Sequence, residues 1–550
     1  MMPSEVLQFQ VLYRKFLGSI IDLELLAAQG DVTKLLGQFA GFLAFFSGML
    51  AFGGMMFDTR HMDPQQATSA LWSMEHFFIS TTMLVVGVFA VLSWDSTFPD
   101  KRDVLVLGPL PVRARTLFLA KAAALGAALG LTVVSLNIFS GLIWPLHFAS
   151  GGFWGVPRAF AALWISVAGA GAFVFTLVLA AQGLMAQILP RPIFVRLSPL
   201  VQIAAFCTFI GTYFLEPSVS SPSAMRDQEP MLAWVPSYWF LAAFQRMNGG
   251  PRFALAGRAW SSVAILAALA TITYLLSYVR TLRKIVEQPD LAPAARGLSR
   301  LPPFGNALQT AIVRFSIRTI ARSRQHRVVL AFFLAIGFAI LILLLHAPAG
   351  HNELAQAEAA LLFTNYVVLI TTIVGIRAVF TMPIALGANW IFRVTAAGTP
   401  DDYRAAIRRP LFVLGIAPVW IASACAFFTL WPWRRAAEHL AILAFAGAIV
   451  AYLCLYRFQK IPFTCSFLPG KSKIHMAIMG GPMMLLLVIS EAVRTEARAL
   501  DQTSRVFALL TSMAIATGVI RWFVIRGEEA EVRFEETEAP AVLTLGIQAR

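Results

Sequence analysis

The residues of this sequence that could take part in acid–base or metal chemistry are few and lie far apart. Carboxylates and imidazoles are the usual proton donors and acceptors of active sites, and one adjacent pair of them is Glu75 followed by His76. Both lie near the predicted external end of an apolar helix, where a hydrated pair at the membrane surface is favoured over a proton relay or a metal site. Asp58, His61 and Asp63 precede them, and a membrane-bound enzyme would have to be built from these five residues.

Nucleotide binding is disfavoured by an incomplete motif. Gly470-Lys471-Ser472 resembles the end of a phosphate-binding loop, but that loop needs another glycine five positions earlier so that backbone N–H groups can surround phosphate. Cys465 occupies this position. The sequence also contains no His-Glu-x-x-His or Gly-x-Ser-x-Gly motif, and its four cysteines lack zinc-ligand spacing. We therefore predict no catalytic residue, metal or cofactor in this chain, which is not expected to be an enzyme.

One charged segment rich in proline has a composition suited to contact with another protein. Its charged and structural positions are Asp100, Lys101, Arg102, Asp103, Gly108, Pro109, Pro111, Arg113 and Arg115. Proline ends a helix and fixes the chain direction, so a short helix that begins with charges and ends with proline could transmit motion from a partner. A plain connecting loop with membrane-anchoring arginines is the alternative, and the residues leave both interpretations open.

The elements that carry these residues are predicted to be membrane-spanning helices. Apolar residues make up 58% of the chain and charged residues only 13%, and the mean hydropathy is +0.71. A bilayer core is crossed by roughly 17–25 apolar residues. About twelve such runs predict an all-α polytopic integral membrane protein. They cover residues 37–57, 71–93, 117–143, 159–187, 198–215, 260–279, 328–346, 360–385, 411–431, 439–456, 476–490 and 506–525.

The distribution of basic residues predicts the orientation of these spans. The net charge is +15, but the basic residues lie in the connections between spans, which disfavours nucleic-acid binding and favours contact with anionic lipid. With the N-terminus inside, the inward segments hold about 32 of the 44 Lys and Arg residues. We therefore expect a multi-pass protein with both termini cytoplasmic. An amphipathic surface helix is predicted before the first span, with Phe9 and Phe16 on its apolar face.

The layout of the spans indicates an internal duplication, as is common in transporters. We divide the chain into a first six-span half with its surface helix (1–280), a basic cytoplasmic linker with a second surface helix (281–327), a second six-span half (328–525) and an acidic cytoplasmic tail (526–550). A loop similar in position to the charged segment follows the second span of the second half. Its charged residues are Asp401, Asp402, Arg404 and Arg408.

Two further features fall outside these loops. Trp234, Pro236 and Trp239, in the long external loop 216–258, predict a short interfacial segment, since amphipathic rings prefer headgroup depth. The loop at 491–505, its counterpart in the second half, shows no such feature. Arg377 is the clearest charged residue within a predicted span. Most spans have no titratable residue, which disfavours ion-coupled transport because ion pathways usually require such groups.

Several of these residues resemble those of ABC-2-type permeases, the membrane subunits of ATP-binding-cassette exporters. The pattern Asp-x-x-x-Leu-x-x-x-Pro-Val followed by basic residues is similar to their intracellular loop. It is formed here by Asp103, Leu107, Pro111, Val112, Arg113, Arg115 and Lys121. The surface helix before the first span and the Pro236, Trp239, Phe240 segment resemble the same family. The resemblance covers residues 1–280 well, whereas the second half matches mainly in layout.

This resemblance implies a permease of the bacterial inner membrane made of two fused six-span halves. It implies a separate cytoplasmic ABC ATPase, in two copies, which would bind ATP and press on the inward loops. Asp100, Arg102, Asp103, Leu107, Pro111, Arg113 and Arg115 would then form the ATPase-coupling loop, and residues 401–408 a possible second one. The alternatives are a twelve-span secondary transporter, a polytopic enzyme acting on lipid-linked substrates and a regulatory membrane subunit that does not transport.

Overall fold

The computed structural model confirms the all-α prediction: the residues that it describes form helices and connecting turns, with no strand among them. It describes residues 3–21, 32–57, 61–94, 112–149, 152–216, 219, 221–285, 302–345, 353–382, 407–456, 462–464 and 474–526.

The chain divides into two compact units, Met1–Ala292 and Pro293–Arg550. The first unit contains the helices α1 (Pro3–Ile21), α2 (Val32–Met56), α3 (Pro64–Leu92), α4 (Ala114–Asn137), α5 (Gly155–Ile188), α6 (Arg191–Leu215), α7 (Pro236–Asn248) and α8 (Leu255–Ile285). Short helical turns lie at Ser140–Ile143, Pro145–Phe148, Pro222–Asp227 and Glu229–Leu232.

The second unit has a similar layout. It contains α9 (Ala307–Arg322), α10 (Arg324–Leu345), α11 (Glu353–Phe380), α12 (Ala417–Leu430, preceded by a π-helical turn at Phe412–Ile416), α13 (Trp433–Leu455), α14 (Ile474–Leu500) and α15 (Thr503–Arg526). Each unit therefore begins with one amphipathic helix (α1 or α9), and six long helices follow it.

Nine helices in the described part of the chain are long and apolar enough to cross a membrane. They are Phe39–Met56, Pro64–Leu92, Arg115–Asn137, Gly155–Ile188, Leu255–Thr273, Glu358–Phe380, Ile407–Leu430, Trp433–Leu455 and Thr503–Val524. Two shorter apolar helices, Leu200–Leu215 and Val329–Ile340, and the helix α14 lie at the other three predicted positions. The protein is thus a multi-pass membrane protein, and a total of twelve crossings stays a prediction.

Burial distinguishes central helices from peripheral ones. In α3, α5 and α11, 61% of the apolar window is buried within the protein, against 22% in α2 and α8. The exposed residues of these peripheral helices, such as Phe42, Phe45 and Ile265, are apolar. Such a surface is stable where it faces lipid in place of water.

The second surface helix is Ala307–Arg322, where Asn306 caps the N-terminus by accepting a hydrogen bond from the Gln309 N–H. Two predicted boundaries were wrong. The third span was placed at 117–143, but α4 ends at Asn137 and two short turns follow, the second beginning at Pro145. The external loop predicted at 491–505 is largely helix, because α14 continues to Leu500 and α15 begins at Thr503.

Candidate functional site

Much of the predicted coupling loop falls outside the described residues, including Asp100, Arg102, Asp103, Leu107 and Pro111. The two ends of this loop, however, are described. Their contacts identify the helices that are attached to the loop.

The N-terminal end of the loop is held by two central helices. Trp94, the last described residue before it, is buried, and its indole N–H donates to Ser198 Oγ at 2.9 Å. The Gln182 side chain of α5 donates to the Trp94 carbonyl at 3.0 Å, and Gln202 of α6 donates to the Val91 carbonyl at 2.7 Å. These bonds connect the end of α3 directly to α5 and α6.

The C-terminal end is held by the surface helix. Arg113 Nη1 lies 2.5 Å from Glu5 Oε1 of α1, and Lys121 Nζ lies 5.3 Å from the centre of the Phe16 ring. Arg113 is 79% exposed, so its ion pair contributes little free energy. The buried side chains of α1, Leu12, Phe16 and Ile20, carry most of the attachment. The predicted residue Arg115 is exposed.

In the second unit, Asp401, Asp402 and Arg404 also lie outside the described residues, and Arg408 is half-buried near the start of a helix. The start of this second loop is held by His326, whose Nε2 donates to the Met382 carbonyl at 3.0 Å. Burial lowers the pKa of His326, so the neutral ring can donate from Nε2 while Nδ1 accepts from Ser323 Oγ.

Phe463 reinforces the same loop end. Its N–H donates to the Phe380 carbonyl at 3.0 Å, and its ring lies 5.4 Å from the Phe380 ring and 5.2 Å from His326. Its φ of 67° is unusual for a residue other than glycine. The surrounding aromatic rings hold this conformation, which places a residue from the connection between α13 and α14 at the end of α11.

The intramembrane charge Arg377 lies on α11, and its Nε donates to the Cys454 carbonyl of α13 at 2.7 Å. The acceptor of this hydrogen bond is a backbone carbonyl rather than a second charged group. Arg377 therefore joins two helices of the second unit near the loop end that His326 holds.

The Glu75–His76 pair is not the hydrated pair that the sequence predicted. Only 5% of Glu75 is exposed, because α7 covers it and the Gln245 side chain of α7 donates to Glu75 Oε2. His76 stacks on Tyr238 at a ring separation of 4.2 Å. The helix α7 begins at Pro236 and ends at Asn248, and the next residue, Gly249, caps it with a φ of 86°.

His76 also contacts Ser237 and Glu216, three residue types that can form a catalytic triad. The geometry excludes a triad, since His76 Nε2 alone lies 3.0 Å from Ser237 Oγ and 3.3 Å from Glu216 Oε2. A triad uses opposite ring nitrogens for the nucleophile and the acid. Ser237 is also buried. Burial raises the pKa of Glu216 to about 7 and that of Tyr238 to about 12.

A second buried polar cluster was not predicted. His439 Nδ1 lies 2.6 Å from Glu496 Oε1, and Tyr366 donates to Glu496 Oε2 at 2.6 Å. On the other side of the ring, Asn365 Nδ2 lies 2.8 Å from His439 Nε2, and Ser423 donates to Asn365 Oδ1 at 2.7 Å. The cluster joins α11, α12, α13 and α14. Among the described residues, no group of three His, Cys, Asp or Glu side chains is arranged to hold a metal ion.

Sequence reasoning missed this cluster because the hydrogen-bonded partners in it are separated by 57 to 130 positions. The available signal was a helical stripe of buried residues that continues past the predicted end of the eleventh span. That stripe consists of Ile489, Val493, Glu496 and Ala499.

The external segment consists of a short helical turn followed by the helix α7. Trp234 is 87% exposed, and Pro236 occupies the first turn of α7. Trp239 instead turns inward: its indole N–H donates to the Ala233 carbonyl at 3.1 Å, and its ring lies 5.8 Å from Phe173. Only part of the segment thus faces outward.

Comparisons with protein-family models, with curated proteins and with solved structures gave no match for this chain.

Proposed function

We propose that this multi-pass membrane protein is the permease subunit of an ABC-2-type exporter, driven by a separate cytoplasmic ABC ATPase in two copies. The bacterial inner membrane is its proposed location, with both termini in the cytoplasm. The sequence pattern from Asp103 to Lys121 suggests this function, and the attachment of both ends of that loop carries it.

The attachment matters because a coupling loop must pass mechanical force into the helices that line a pathway. Movement of residues 95–111 would be transmitted through Trp94 to α5 and α6, and through Arg113 to α1 and α4. Switching between two packed arrangements is a common way in which such a displacement is amplified.

The proposal is tested by purifying the full chain in mild detergent. We expect an ABC ATPase to copurify, and we expect Asp103→Ala or Pro111→Ala to abolish stimulation of its ATP hydrolysis by the permease. Asp501→Ala is the matched control, because Asp501 is an exposed carboxylate in the turn between α14 and α15, on the predicted external side. Purification without any ATPase, or equal loss with Asp501→Ala, contradicts the proposal.

A proton-coupled carrier is the second candidate, and the His439–Glu496 pair favours it. This pair places titratable groups between membrane helices, where the sequence had indicated few. Such groups commonly mark proton pathways. In liposomes that contain the chain without an ATPase, a proton gradient would then drive solute movement, and Glu496→Gln would abolish it. The exporter proposal predicts no movement in that assay.

A further inference from the structure

A groove on the first unit lies between the external segment and the first turns of α8. It is lined by Ala233, Trp234, Trp239, Arg258, Ser261, Ser262 and Ile265. Indole rings form one wall, a guanidinium lies near the start of α8, and apolar side chains continue along that helix. A groove with a cationic end and an apolar end suits an amphiphile.

The cationic end is held in place by a shared acceptor. Arg258 Nη1 donates to the Ala233 carbonyl at 3.2 Å, and the Trp239 indole donates to the same oxygen at 3.1 Å. Arg258 makes no ion pair with any residue that the structure describes. A guanidinium has five N–H donors, so several remain for an anion, and its planar fork fits phosphate.

The apolar end has the length of one membrane leaflet. Ile265, Ile272 and Leu276 are exposed and follow Arg258 along one face of α8. From Ile265 to Leu276 the helix rises about 16 Å, and half of a hydrocarbon core is about 15 Å. Trp234, exposed beside Arg258, suits the headgroup depth. A free anion could bind to the guanidinium, but it would make no contact with the apolar stripe of Ile265, Ile272 and Leu276.

We infer that the groove binds one phospholipid, with the phosphate on Arg258, the glycerol region beside Trp234 and an acyl chain along Ile265, Ile272 and Leu276. The complementary charge at headgroup depth distinguishes this site from general contact with the bilayer. It is independent of the proposed exporter function.

The test is native mass spectrometry of the detergent-purified full chain titrated with phosphatidylglycerol. We expect one lipid per chain to bind more tightly than the others, and Arg258→Gln to weaken that first binding step about tenfold. Arg252→Gln is the matched control, because Arg252 is an exposed arginine six residues earlier that does not line the groove. Trp234→Ala, at a residue too exposed to affect folding, should weaken the same step.

Four outcomes would overturn the inference. Equal weakening by Arg252→Gln would show general attraction to basic residues. Equal binding of a diacylglycerol with the same chains would show that phosphate is not recognised. Displacement of the lipid by millimolar inorganic phosphate, or a doubled mass with no bound lipid, would assign the groove to a free anion or to a second copy of the chain.

Discussion

Glu496 accepts hydrogen bonds from Tyr366 and His439 while only 1% of the residue is exposed. Glu496→Ala would leave both donors buried without an acceptor. We expect this change to lower the free energy of unfolding by about 3 kcal/mol, since each buried donor that loses its acceptor costs about 1–3 kcal/mol. The free energy of unfolding is measured by denaturant unfolding of the detergent-solubilised chain.

Glu491→Ala is the control for that experiment. Glu491 lies on the same helix and carries the same charge, but its side chain is 67% exposed and contacts only Arg494 among the described residues. We expect a change of less than about 0.5 kcal/mol. Similar losses in the two variants would show that the buried cluster does not stabilise the second unit.

Glu216 makes the stability of the first unit depend on pH. Burial raises the pKa of its carboxyl from 4.5 to about 7, so between these values the folded chain holds a proton that the unfolded chain releases. The stabilisation is complete below pH 4.5 and is lost as the pH rises through about 7. We expect the thermal midpoint to fall between pH 5 and pH 8, and Glu216→Gln to flatten that slope. An unchanged slope in Glu216→Gln would assign the dependence to another group.

At the scale of elements, the close approach of α5 and α8 depends on Gly183. A Cβ at this position would lie 2.3 Å from Thr273 Oγ1 and 2.6 Å from Thr273 Cβ. We expect Gly183→Ala to push the helices apart and to lower the free energy of unfolding by about 1–3 kcal/mol. Gly130→Ala is the control, because a Cβ there meets nothing within 4 Å. It should instead stabilise α4 slightly, and a neutral Gly183→Ala would contradict the packing.

The length of α14 could not be predicted from the sequence. The apolar run at 476–490 indicated a span, but the following residues, EAVRTEARAL, contain four charges in ten positions and read as a loop. In the structure they continue the helix, and Val493, Glu496 and Ala499 are buried on one face. The helical period was present, but nothing in the sequence marked His439 and Tyr366 as the partners that make burial of Glu496 favourable.

The ends of the coupling loop show a similar limit. Proline and charge between the second and third spans were compatible with a loop that transmits motion and with a plain connecting loop. The bonds of Trp94 to α5 and α6 join residues about 90 to 105 positions apart. Such contacts depend on how the helices pack, which periodicity and composition do not specify.

At the scale of the molecule, the two units share more than their layout. In each, a carboxylate near the C-terminal end of the fifth long helix contacts a histidine: Glu216 with His76, and Glu496 with His439. The histidines lie on different helices, the second long helix in one unit and the fourth in the other. The all-α, multi-pass character of the chain was predictable from hydropathy, whereas the buried chemistry of each unit was not.

The central claim is that residues 95–111 contact an ATPase. Site-specific photocrosslinking tests it most directly, with a photoreactive amino acid at Leu107 and, as the control, at Met231, which is exposed on the predicted external side. We predict an adduct between the Leu107 probe and an ABC ATPase, identified by mass spectrometry, and none from the Met231 probe. Absence of an ATPase adduct at Leu107, or equal adducts from both positions, would contradict the account.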